Sequence, residues 1–154
     1  MRAIRVHSFG GPEVLTLESV SDPHPAKGEV VVRLAAAGVN FIEVYQRKGL
    51  YQVPHPSTPG GEGAGIVEAI GTDVVGLKVG DRVVSQGFRG SYAELAVAPA
   101  DRVVKVPDGI SLDVAAAAML QGLTAHYLVR STFALKAGHT CVIHAAAGGV
   151  GLVR

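Results

Sequence analysis

Glu29–Leu34, EVVVRL, is the stretch on which the fold turns. Three consecutive valines in a short run bounded by Gly28 read as a β-strand, because β-branched side chains suit a pleated, packed surface. Working outward, the same kind of run recurs at Ile66–Ile70 (IVEAI), Arg82–Ser85 (RVVS) and Ala93–Val97 (AELAV), with glycine and proline between them. The chain holds 20 Gly and 8 Pro, above the average share, and without a collagen period that content predicts many tight turns. At 154 residues, 48% hydrophobic and 18% charged, the chain has enough apolar material for a domain with a real core and is not a disordered tail. The expectation is a mostly β, mainly antiparallel unit with short helices.

One helix interrupts the β text. Asn40 can cap it, Glu43 follows at the capping-box position, and Gly49 after Lys48 is a stop signal. After Pro107 the text turns alanine-rich, SLDVAAAAMLQGLTAHYLVRSTFAL, and Ser111 and Thr124 are predicted to cap two short helices parted near Gly122. Thr140–His144 (TCVIH) is predicted as an apolar strand running into a glycine turn and a helix start. A parallel strand of that kind is normally flanked by neighbours and covered on both faces, so the sequence is expected to stop within a domain.

Composition narrows the function classes. A single cysteine excludes internal disulfides and Cys-rich zinc lobes. A net charge of +1 leaves no surplus to neutralise a phosphate backbone, so nucleic acid is not expected as a partner. The amino end lacks an apolar signal core, and the longest uncharged runs fall short of about 20 residues. The chain reads as soluble and cytoplasmic, with no membrane partner.

Two places could carry chemistry. Ala146–Gly151 (AAGGVG) is compatible with a dinucleotide fingerprint whose first glycine is alanine, and equally with a plain glycine turn. Asn40, Phe41, Tyr45 and Tyr51 flank the short helix and the loop VPHPSTPGGEG, a combination suited to the wall of a flat-ligand pocket, though core packing and a cap would use the same residues. None of the six histidines has zinc-ligand spacing, and His139 and His144, five apart, would face opposite sides of a strand. His126 reads most simply as a half-buried structural residue. No GxSxG elbow is present, and Cys141 within an apolar strand does not suit a nucleophile.

Six blocks taken in order, AAAGVNFIEVYQRKGLY, TPGGEGAGIVEAIG, GLKVGDRVVSQG, GSYAELAV, QGLTAHYLVR and CVIHAAAGGVGL, closely resemble the zinc-independent quinone oxidoreductases, the ζ-crystallin-like branch of the medium-chain dehydrogenases and reductases. The resemblance implies a GroES-like catalytic domain over residues 1–110. Residues 111–154 would then be connecting helices and the beginning of a truncated NADP-binding Rossmann domain, relatives running to about twice this length. It implies NADPH in the cleft between the two parts, a small quinone as substrate, and a homodimer for full-length members. Zinc-dependent members carry a cysteine and a histidine as metal ligands where this chain has Asn40 and Gly61, so no zinc is expected.

Carried over residue by residue, the resemblance implies Asn40, Phe41, Ile42, Glu43 and Tyr45 near the nicotinamide. Tyr51 would stand at the substrate mouth, Thr124 and His126 beside the cofactor, and Gly148, Gly149 and Val150 under the pyrophosphate, with Asn40, Tyr45 and Tyr51 as the catalytic group. His126 replaces a frequent tyrosine and Gln121 a common lysine. A quinone is electron-poor and spreads incoming charge over its ring, so hydride transfer to it does not require a metal. An enoyl-thioester reductase of the same superfamily and a non-catalytic fragment are the alternatives.

Overall fold

A computed structural model describes residues 1–153 of the chain. Its centre is a five-stranded antiparallel sheet built from β3 (Glu29–Ala37), β4 (Gly63–Ile70), β5 (Arg82–Ser85), β6 (Leu95–Pro99) and β7 (Val104–Lys105), in the order β6-β3-β4-β5-β7. The run EVVVRL lies inside it, paired with β6 on one side and β4 on the other. A two-stranded ribbon, β1 (Arg2–Arg5) with β2 (Thr16–Ser19), joins it through a bridge between Ala3 and Ala93. One edge strand, β6, ends at Pro99 and has its outer side bridged by Arg89 at Val97. The other, β7, is only two residues long, and Lys105 on it pairs with Asp81.

Alternation along the strands sorts the core. Val30, Val32, Val67, Val83, Ala96 and Ala98 gather around Phe88. The intervening Val31, Leu95 and Val97 pack elsewhere, with Met1 and Ala69 alongside. The pairing of β3 with β4 slips between Val31 and Val32 and again between Leu34 and Ala36, and such bulges bend a sheet. At Gly65 the two strands approach so closely that a Cβ would collide with the Arg33 carbonyl, which only glycine tolerates.

Helix α1 (Phe41–Arg47) forms as its caps dictate: Glu43 Oε2 accepts the Asn40 backbone N–H at 2.6 Å, and Gly49 takes φ +79° just past the end. Helix α2 (Leu112–Tyr127) corrects the expectation of two helices. It runs unbroken through Gly122 and leads into a wider π-turn over Leu128–Thr132. A mid-helix glycine costs about 1 kcal/mol relative to alanine. Here the surrounding alanine run and the packing of Ala115 and Ala116 against Ala64, Val84 and Val106 outweigh it. Thr124 is therefore not a cap; its hydroxyl donates to the Leu120 carbonyl one turn back, at 2.8 Å. Within the combined stretch Leu112–Thr132, 21 residues long, an 18-residue window has mean hydropathy 1.2, enough to cross a membrane by length and composition, a test that core helices of soluble proteins also pass. That exceeds the uncharged runs read from the sequence.

The strand expected at Thr140–His144 does not form. Val142 is 81% exposed and Cys141 is exposed, since no strand among the described residues lies alongside to complete a ladder. His139 and His144 consequently have no strand faces to be divided between. The glycine turn that follows does open a single helical turn, α3 (Gly149–Leu152).

Candidate functional site

A cleft of about 900 Å³ opens where β4 enters the sheet and α1 begins, with Asn40, Ile42, Glu43, Gly61, Glu62 and Leu120 on its wall. Two carboxylates are buried there, Glu62 at 1% exposure and Glu43 at 7%. Each is held by hydrogen bonds, the condition under which a carboxylate tolerates burial.

Glu62 spans two elements. Its Oε2 accepts from Asn40 Nδ2 at 2.9 Å, and its Oε1 accepts from the Leu120 backbone N–H of α2 at 2.7 Å. The other end of the Asn40 amide is also engaged, for Gln121 Nε2 donates to Asn40 Oδ1 at 3.3 Å. Gln121 in turn lies over Gly149, where a Cβ would come within 2.7 Å of its Cγ. Gly38 leaves room for the Glu62 carboxylate: a Cβ there would collide with it.

Glu43 Oε2, besides closing the helix cap, accepts from the Tyr92 hydroxyl at 3.2 Å. Burial, then the Glu43 charge and this hydrogen bond, push the Tyr92 phenol up to about 12, so it stays protonated as a donor.

The sequence-predicted residues separate into groups. Asn40, Ile42 and Glu43 line the cleft. Phe41, Tyr45 and Tyr51 form an exposed aromatic row beside it, edge-to-face at centroid distances of 5.3 and 5.6 Å. Gly148, Gly149 and Val150 sit at the start of α3, with Gly149 against Gln121. The Thr124 hydroxyl is turned into its own helix, and His126 is exposed rather than half-buried. Sequence reasoning passed over Glu62 and Tyr92, and treated Gln121 only as a departure from a pattern. The signal for Glu62 was available: a lone carboxylate among the glycines of GGEGAG, in a segment whose other residues are small or apolar. Among the described residues no group of three or more His, Cys, Asp or Glu side chains is placed to hold a metal ion.

Residues 26–108 match the family described as the alcohol dehydrogenase GroES-like domain. The chain belongs to this family. Among curated relatives, the GroES-like chain is 50% identical over 153 residues to the quinone oxidoreductase of Pseudomonas aeruginosa, covering 98% of itself and 47% of the relative. It is 45% identical to quinone oxidoreductase 1 of Escherichia coli K12, covering 97% and 46%. It thus spans about half the length of the curated relatives it matches. Among solved structures, a mycobacterial protein complexed with NADPH superimposes with a TM-score of 0.97 at 47% identity, over 99% of this chain and 48% of the other. The Escherichia coli quinone oxidoreductase complexed with NADPH gives 0.95 at 44% identity, over 99% and 47%.

Proposed function

We propose that the protein containing this chain is a zinc-independent, NADPH-dependent quinone oxidoreductase, in which a hydride and a proton convert a small quinone to the hydroquinone. The observation that carries this reading is the hydrogen-bonded series Leu120, Glu62, Asn40, Gln121, whose first three members line the cleft. It presents a fixed neutral amide, with the exposed aromatic row of Tyr45 and Tyr51 beside it.

The donor set does not fit a catalytic zinc. Asn40 is already committed to Glu62 and Gln121, and Gly61 has no side chain, whereas zinc needs thiolate, imidazole or carboxylate ligands in tetrahedral array. The residues do fit a nicotinamide dinucleotide. Gln121 Oε1 is buried without a partner among the described residues, between Asn40 and the bare backbone of Gly149. When bound, NADPH supplies the hydride.

This chain's own residues then position and enclose. Asn40, Phe41, Ile42 and Glu43 bound the nicotinamide side, and Thr124, His126 and Gly148–Val150 follow the rest of the cofactor. Tyr45 and Tyr51 offer ring faces and edges to a flat acceptor. Tyr92 keeps Glu43, and with it the start of α1, in place. Residues 1–110 act as the catalytic domain, and 111–154 lead into the nucleotide-binding part.

The test is NADPH oxidation by the full-length protein with a panel of quinones and enoyl thioesters. Turnover with quinones supports the assignment, and turnover with enoyl thioesters alone overturns it. Tyr51→Ala raises the acceptor KM and Asn40→Ala lowers kcat, each by about tenfold, because a displaced ring loses near-attack geometry. About one zinc per chain by elemental analysis after dialysis would remove the metal-free reading.

A further inference from the structure

Glu62 is 1% exposed, and among the described residues it forms no ion pair. A buried carboxylate without a cation is a costly way to join a loop to a helix. A carboxylate differs from the amide of the same shape in charge and in presenting two accepting oxygens where the amide has one acceptor and one donor. That property propagates. The Leu120 N–H donates to Oε1, and Oε2 requires a second donor, so Asn40 must present Nδ2. Asn40 therefore turns Oδ1 toward Gln121, and Gln121 must present Nε2. The last free atom in the series is Gln121 Oε1, buried and without a partner among the described residues. A buried acceptor left unpaired next to Asn40 and Gly149 calls for a ligand that donates there.

We propose that Glu62 is a positioning residue whose acceptor-only carboxylate fixes the orientation of the Asn40 and Gln121 amides, and that Gln121 Oε1, so left unpaired, accepts the carboxamide N–H of the nicotinamide ring. The ligand half rests on the cofactor reading above; the orientation half does not.

Glu62→Gln is isosteric and reverses the series. The Leu120 N–H keeps the oxygen of the new side chain, whose NH2 then faces Asn40. Asn40 turns Oδ1 to meet it, Gln121 turns Oε1 to Asn40, and the free atom becomes a donor. Side-chain amide NMR of the chain reads this directly. In the wild type the Asn40 Nδ2 protons show a nuclear Overhauser effect to the Leu120 amide proton, and in Glu62→Gln that effect is lost while the backbone spectrum elsewhere is kept. The same effect in both proteins overturns the proposal.

Binding is read by titrating the full-length protein with NADPH and with its 3-acetylpyridine analogue, whose methyl ketone has no N–H to give. Glu62→Gln and Gln121→Met each weaken NADPH binding about tenfold, the worth of one hydrogen bond, and leave the analogue unchanged. Equal losses for both ligands, or no loss, overturn the acceptor assignment. Failure of the full-length wild type to bind either dinucleotide overturns the cofactor reading instead, and with it the ligand half of this inference, while the orientation measurement stands on its own.

Discussion

RVVS at Arg82–Ser85 and TCVIH at Thr140–His144 are alike as text, each a short apolar run with β-branched residues and turn signals nearby. They fare differently in the fold. Val83 and Val84 are buried at 0% and 6%, with β4 on one side and β7 on the other. Val142 and Ile143 are 81% and 44% exposed and pair with nothing among the described residues. Strand propensity is thus a readiness to pair, and the neighbours decide whether it is realised.

The sharpest way to break this comparison is to place a charge in each region. Val32→Asp, in the twice-paired β3, should destabilise by more than about 4 kcal/mol, because an unpaired carboxylate would sit in the main core. Val142→Asp should stay within about 0.5 kcal/mol. Urea denaturation of both variants measures the difference, and comparable losses would mean that 140–144 is packed after all. Next in size is Gly65→Ala, where the added Cβ meets the Arg33 backbone; a loss of about 1–3 kcal/mol is expected by the same assay.

Gly122→Ala has the opposite sign. Nothing lies within 4 Å of the added methyl, so α2 should gain about 1 kcal/mol, seen as a higher Tm. The smallest effect concerns pH. The Tyr92 phenol is raised from 10.0 to about 12 in the folded state, so between those values the native chain holds a proton that the unfolded chain releases. Its contribution is complete below pH 10 and is lost as pH rises toward 12. Tyr92→Phe should flatten the fall in stability over that window, and at neutral pH it should cost about 1 kcal/mol through the lost hydrogen bond to buried Glu43.

How much was legible in the sequence depended on how far apart the cooperating residues lie. Strands β3 to β6 and α1 were readable because their signals are local, short β-rich runs between glycines and Asn40, Glu43 and Gly49 in fixed spacing, whereas β1, β2 and β7 carry no such run and were not read. The division of α2 was misjudged because Gly122 and Thr124 look like punctuation when packing against the sheet is not considered. Glu62 escaped notice for the opposite reason. Its partners stand 22 and 58 positions away, and a local pattern gives no hint that three side chains and a helix amide will meet.

The blunted edges of the sheet have a bearing on assembly. Two-residue β7 and the Pro99 end of β6, with Arg89 already bridged to Val97, offer a neighbouring molecule no long row of free backbone N–H and C=O groups. Strand addition, the usual route by which exposed sheets aggregate or fuse into larger sheets, is closed off at both ends. Any association of copies through this part of the molecule must therefore be made by side-chain faces, where substitutions can tune it without touching the backbone ladder.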